Sequence, residues 1–417
     1  MSTIRNPIAT EDQRETEHRG LELFSHPRVV STQKEVKEYW ISANEPSAEM
    51  LACLNDFAFE EVMFAATIWS LNQDPLYPRV VTITRLEHEL GGLRVPGTRW
   101  GIDNPDSVYR VIPISGAERY VIRGKVAATR LTENYFTLWD DKMNTVDVLN
   151  GKDLVLAPDG SFEIFVDSEP AGQRANHIRS SPEAHEFYIR DVVMDWGVEM
   201  INELSIERLG GEPSRPPFSL DEQLDLTTSY MWKWAKESDR WNAQADAHAP
   251  NELAFTIDRD TDGGLRDQIY IFGKFALASD EEALILDINL GGAEYFIAPI
   301  SNDWGTTNDI LHRTGSLNRA QSVANRDGTY TYVISVKDPG VHNWLDPTGF
   351  HEGTLTLRWA EFAGGRPGPD LGVSSRLVPT SQLRSELPPE TKYISEAERR
   401  ALLTERTESY SWRLAEK

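Results

Sequence analysis

The chain has 417 residues, 40% hydrophobic and 26% charged, which supports two or three globular domains with sizeable cores. Its formal net charge of −24 repels phosphate backbones and anionic membrane surfaces, so no nucleic-acid and no membrane partner is expected. A single cysteine, Cys53, excludes an internal disulfide and any cysteine-based zinc site.

Residues 1–30 are polar and read as a flexible N-terminal segment. They lack the apolar core of a secretory signal, so a cytoplasmic location is expected. A helix is predicted from Thr32, which has capping-box spacing with Glu35 and is followed by Val36, Tyr39 and Trp40 on one face. Residues 47–72 continue as helix with a broad apolar face, and Cys53 reads as a buried structural thiol within it. From about 80 to 196 the pattern changes to short β-branched and aromatic runs: RVVTITRL, SVYRVIPI, ERYVIRGKV, YFTLWD, DLVLA, SFEIFVD and EFYIRDVVMDW. A short helix is predicted over 197–209. The helical lead and these strands form a first unit, 31–212.

The segment GGEPSRPPF, 210–218, interrupts any helix or sheet. A second unit, 213–385, opens with a helix capped by Ser219 and Glu222, with Leu224, Thr227, Met231, Trp234 and Trp241 at helical spacing. Strands return as DQIYIFGKFAL, EALILDINL, EYFIAPI, TYTYVISV and TLTLRWAEF. Residues 386–417 carry a C-terminal helix, capped by Ser395 and Glu398, with Leu402, Leu403, Tyr410 and Trp412 available to dock.

The two halves repeat. DGSFEIFVD starts at Asp159 and DGTYTYVISV at Asp327, an offset of 168 residues; Asn176 and Asn343 match at an offset of 167. Each copy has an Asp-Gly hairpin turn, an alternating strand, an Asn-bearing loop and a strand ending near Trp196 or Trp359. The predicted fold class is α+β: two repeated helix-plus-antiparallel β-sandwich units with a C-terminal helix. Residues 285–362 resemble the bacterial domain-of-unknown-function family 1214. The resemblance rests on Ser316, Leu317, Asn318 and Gln321, on Asp327 and Gly328, and on Asn343, Trp344 and Leu345. The first half resembles it more weakly, with His177 where Trp344 stands. The resemblance implies a jelly-roll-like β architecture and brings no reaction with it.

Three clusters carry candidate chemistry. RWGIDNPDSVYRV, 99–111, is either a strand-entry turn or a pocket wall built from Asp103, Asn104, Asp106, Tyr109 and Arg110. If Arg110 points inward, it must be paired. The loop 303–321 concentrates directional hydrogen-bonding groups: Trp304, Asn308, Asp309, His312, Arg313, Asn318 and Gln321. A third loop holds His342, Asn343, Trp344 and Asp346. Asp258, Asp260 and Asp262 copy the opening of a calcium loop, but Ile269 stands where its bidentate Glu belongs; an acidic turn is the better reading, with Ca2+ as the alternative.

Two functions remain open at this stage. One is a cofactor-independent enzyme of hydrolase, lyase or isomerase type, acting on a small oxygen-rich or anionic substrate in a polar pocket between helices and sheets. Asp103, His312 and Arg110 would be its catalytic groups. Asn104, Tyr109, Trp304, Arg313, Asn318, Gln321, Asn343 and Trp344 would bind substrate. The other is a non-catalytic carbohydrate or small-ligand binding protein with Trp100, Trp304 and Trp344 as platforms, although core packing is the commoner place for such rings. A homo-oligomer is left open. Both readings expect residues 103–110 and 303–321 to meet across one cavity.

Overall fold

The computed structural model describes residues 6–253 and 268–415. Asp258, Asp260 and Asp262 lie outside the described residues. Among the described residues no helix is long and apolar enough to cross a membrane.

Four helices open the chain: α1 (Glu11–Phe24), α2 (Pro27–Asn44), α3 (Ala48–Cys53) and α4 (Phe59–Leu71), the last two joined by a π-helical turn over Leu54–Ala58. α1 corrects the expected loose N-terminus. Thr10 caps it, and Gln13, Thr16, Glu17, Gly20 and Leu23 are buried. Gly20 permits its close approach to α4, since an added Cβ would lie 2.6 Å from Ile68 Cδ1. Burial raises the Glu17 carboxyl, but Arg85 and His88 outweigh it and hold the group at about 2. α2 starts five residues before Thr32, because Pro27 supplies a preset φ at the first turn and His26 accepts from Arg28 N.

The first sandwich follows. Its strands are β1 (Val81–Ile83), a small hairpin of β2 (His88–Leu90) and β3 (Leu93–Val95), β4 (Ser107–Pro113), β5 (Arg119–Lys125) and β6 (Glu133–Asp140). They continue with β7 (Thr145–Asn150), β8 (Ser161–Asp167), β9 (His177–Arg179), β10 (Ala184–Val192) and β11 (Glu203–Leu209). One sheet has the order β1-β4-β10-β6-β7, the other β11-β5-β8-β9. Ile112, Phe136, Phe187 and Ile189 meet Tyr120, Ile122, Ile164 and Ile178 between them. The helix expected over 197–209 is instead β11, which pairs with β5 from Glu203↔Lys125 to Leu209↔Arg119. Leu204 and Ile206 pack on the core at a period of two, and that pairing overrides their helical propensity. DLVLA is not a strand; the chain pairs earlier, as β7.

After the Gly/Pro segment comes α5 (Leu220–Asn242), with both bonds of the expected Ser219–Glu222 capping box. It does not cover the second sandwich alone. Met231, Trp234 and Ala235 share one core with Trp40, Phe64 and Trp69 of the opening helices and with Val111 and Tyr188 of the first sandwich. The second sandwich comprises β12 (Ile269–Ala276), β13 (Glu282–Asn289), β14 (Ala293–Ser301), β15 (Ser316–Asn318) and β16 (Tyr330–Ile334). β17 (Trp344–Leu345), β18 (Glu352–Phe362) and β19 (Gly372–Pro379) complete it. Its sheets run β12-β18-β14-β15 and β17-β16-β13-β19. β4 to β11 and β12 to β19 therefore fall in the same order in both units, even to the parallel pairs β8–β9 and β16–β17.

Asn176 and Asn343 show why the repeat conserves its loop. Asn176 accepts from Val155 N at 2.8 Å and donates to Val155 O and Glu163 O, each at 3.0 Å. Asn343 accepts from Val323 N at 2.9 Å and donates to Val323 O at 2.8 Å and Thr331 O at 3.1 Å. Both are strand clamps.

A short helix, α6 (Leu383–Glu386), precedes α7 (Glu396–Tyr410), which carries both bonds of the expected Ser395–Glu398 capping box. Of the four expected docking residues, Tyr410 is buried against Trp196 and Trp412 packs beside it, whereas Leu402 and Leu403 stay half-buried and arginines make the polar contacts. Arg406 donates to Ile310 O, Ser316 Oγ and Gln321 Oε1, and Arg413, just beyond the helix, donates to Pro105 O at 2.8 Å.

Candidate functional site

The polar mouth before β4 is chiefly a joint between the two halves. Asp103 accepts from Thr307 N and Thr307 Oγ1, both at 2.7 Å. Arg99 pairs with Glu61 and donates to Thr307 O and Asn308 O. Asn104 closes the expected Asx turn on Asp106 N and donates to Tyr295 Oη at 2.9 Å. Asp106 is fully buried and accepts from Trp196 Nε1 at 2.8 Å, Asn318 Nδ2 at 2.9 Å and Tyr295 Oη at 3.0 Å. Residues 103–106 and 303–321 thus meet by direct hydrogen bonding, not across a hollow.

Most of the expected site residues serve structure. Arg110 points into the first sandwich, opposite to Tyr109, and is paired there with Asp191 and Asn202 O. His312 is exposed and touches Asp309; Arg313 is half-exposed and pairs with Asp346. The proposed catalytic trio of Asp103, His312 and Arg110 is therefore dispersed. Trp304 is buried against Trp40 and donates to Met50 O at 2.8 Å. Asn318 and Gln321 hold Asp106 and Arg406. Asn343 is the strand clamp, and Trp344 is buried, donating to Ser335 O under Arg399. Of the candidates, His342 and Asn343 line a small cavity of about 20 Å³ elsewhere, while Asp103, Tyr109 and Trp100 line a larger one.

That cavity, of about 60 Å³, lies where the outer faces of the two sandwiches approach below the end of α5. The first unit contributes Tyr109, Tyr188 and Arg190. The second contributes Tyr270, Phe272, Thr356 and Arg358. Trp100 to Asp103, Trp241, Gln244 and Gln268 complete the lining. Stacked rings stiffen one wall: Tyr188 lies 5.0 Å from Tyr109 and 4.2 Å from Trp139.

Its two arginines are repeat equivalents, 168 residues apart on β10 and β18. Each stands opposite a tyrosine on the neighbouring strand, Arg190↔Tyr109 and Tyr270↔Arg358. Each guanidinium lies over tyrosine, 5.6 Å from the Tyr109 ring centre for Arg190 and 5.8 Å from that of Tyr270 for Arg358. Arg190 is 7% exposed and Arg358 6%. Among the described residues neither forms an ion pair closer than 4.0 Å, Arg190 Nη1 and Arg358 Nε have no hydrogen-bond partner, and the guanidinium of Arg358 reaches only Ile102 O. Strand alternation places these arginines on the face opposite Arg110, which is why RWGIDNPDSVYRV drew attention to the wrong one. The signal was present: the two aligned strands FYIRD and LTLRW carry an arginine at the same repeat position.

Behind Gln268 sits Glu133, fully buried, accepting from Gln268 Nε2 at 2.5 Å, with Oε2 unpartnered among the described residues. Burial pushes its carboxyl up to about 7, against the pull of Arg190, the Gln268 hydrogen bond and Arg358; Glu361 adds to the rise. Because the folded value exceeds the ordinary 4.5, this group's stabilising contribution is complete below pH 4.5 and is lost as pH rises through about 7. Glu133→Gln is expected to remove that dependence. Urea unfolding at pH 5 and pH 8 should show the wild type losing about 3 kcal/mol relative to the variant. An unchanged difference between the two pH values would place Glu133 in a solvated or fully paired setting.

The two tandem sandwiches and their helical layer make this an α+β protein with a cavity lined by two arginines where its sandwiches approach. In fold it is similar to an uncharacterized protein from Burkholderia cenocepacia, at TM-score 0.72 and 23% identity, covering 87% of this chain and 99% of that one. A protein from Vibrio parahaemolyticus matches at TM-score 0.44 and 13% identity, over 66% of this chain and 90% of that one. No protein-family model matches the chain, and no curated protein matches it. The likeness to the Burkholderia protein extends to the fold alone.

Proposed function

We propose that the protein binds a small organic anion in the cavity between its two units. The carrying observation is Arg190, a buried guanidinium over the Tyr109 and Tyr188 rings that forms no ion pair within 4.0 Å among the described residues. A buried cation without a partner is costly, and an anion entering the cavity would remove that cost. Arg358 supplies a second fork, and the apolar aromatic lining lowers the local dielectric and so strengthens both charged contacts. A neutral sugar would leave the guanidinium charge unmatched, so the carbohydrate alternative is the weaker one.

Thermal-shift measurements with a panel of carboxylates and neutral sugars test the reading. Carboxylates should raise the melting temperature of the wild type, and Arg190→Met should weaken their binding by about 1–3 kcal/mol. Stabilisation by sugars alone, or carboxylate binding indifferent to Arg190→Met, would refute it.

One observation favours catalysis on the same anion as a second reading: the Glu133 carboxyl, near neutrality and one side chain behind the cavity. It would be the proton-transfer group of a lyase- or isomerase-type reaction. Product formation from a bound acid, lost in Glu133→Gln while binding persists, separates this reading from simple binding. The resemblance of residues 285–362 to domain-of-unknown-function family 1214 favours neither.

A further inference from the structure

We infer that the ligand is a short, flat carboxylic acid of about two to four carbons with a second acceptor oxygen beside the carboxylate, as in 2-oxo acids and short dicarboxylic acids. This rests on the anion-binding reading above and narrows it by size and by donor geometry.

Size comes first. The cavity's 60 Å³ corresponds to roughly four to six water-sized groups, a space that matches a three-carbon acid better than an aromatic one. Donor geometry comes second. Arg190 and Arg358 are related by the repeat, one from each sandwich, so the cavity presents two separate guanidinium forks rather than one. One carboxylate satisfies one planar fork through two parallel bonds, which leaves the other in want of an acceptor. Asp103 lines the cavity but, among the described residues, forms no ion pair with either guanidinium; its oxygens accept from Thr307. A ligand with a carbonyl or second carboxylate next to the first would offer an acceptor to each fork. The surrounding rings of Tyr109, Tyr188, Tyr270 and Phe272 favour a planar body over a branched one.

Isothermal titration of the full chain with pyruvate, oxalate, propionate and benzoate tests this. Pyruvate and propionate differ by the one acceptor oxygen at issue. Pyruvate and oxalate should bind at least tenfold more tightly than propionate, and benzoate should not compete. Arg190→Met and Arg358→Met should each erase the margin between pyruvate and propionate; where a Met variant fails to fold, the Lys variant, which keeps charge but not the fork, should reduce it. Propionate or benzoate binding as tightly as pyruvate, yet lost in the arginine variants, would overturn the ligand class and leave the anion site standing. Absence of any arginine-dependent binding would overturn both.

Discussion

Asp106→Ala is expected to cost about 3–5 kcal/mol of folding stability, seen as a lower urea midpoint. Asp106 is the point at which the first sandwich, the second sandwich and the C-terminal segment share one group. Its carboxylate receives Trp196, Asn318 and Tyr295, and Arg413 donates to its own backbone oxygen and that of Pro105. Burial pushes the carboxyl up to about 6, against the hydrogen bonds from Asn318, Trp196 and Tyr295 and the nearby charge of Arg413. Truncation would strand the Trp196 indole and the Tyr295 hydroxyl, and remove the charge facing Arg406 and Arg413. Each such buried loss costs about 1–3 kcal/mol, and the losses fall on one joint. Asp106→Asn, which keeps the shape, should cost distinctly less. An alanine variant within about 1 kcal/mol of the wild type would mean that the halves are held together elsewhere.

The second large effect is expected at Arg110. Arg110→Met should cost about 3–5 kcal/mol, because it leaves Asp191 charged inside the first sandwich with only Asn134 beside it. Adding Asp191→Leu should restore more than half of that loss. Burial lowers the Arg110 value and raises that of Asp191, each against the pull of the other, so desolvation outweighs attraction for both partners. A pair in that balance is replaceable by apolar side chains, while half of it is not. Denaturant unfolding of the two single variants and the double variant measures the coupling. A double variant as unstable as the sum of the singles would show no coupling between Arg110 and Asp191 and would contradict this account.

Much of the architecture was legible in the sequence because it rests on local rules. Ser219 with Glu222 and Ser395 with Glu398 form capping boxes within a single turn, and the Asp159 and Asp327 turns recur because each aspartate caps its own hairpin. The repeat extends to the whole strand order of both sandwiches. What failed depended on distant partners. Residues 203–209 are a strand because β5 offers an edge, and α1 is anchored by distant partners, Arg85 and His88 on Glu17 and the Thr82 backbone on Gln13.

The site followed the same division. Loops rich in Asn, Asp and His looked chemical, yet a joint between two domains needs the same directional donors and acceptors. Asp103, Asn104, Asn318 and Gln321 are spent on that joint. Arg190 and Arg358 looked ordinary within strands, since only the packing of two sheets reveals that neither forms an ion pair among the described residues. Their shared repeat position was visible; the cavity between them was not.

Diffraction from crystals grown with oxalate would test the central claim most directly. The expected result is oxalate between the two units, with oxygens about 2.7–2.9 Å from the guanidinium nitrogens of both Arg190 and Arg358. A water-filled cavity at saturating oxalate, with Arg190 paired to a carboxylate of the protein itself, would contradict it.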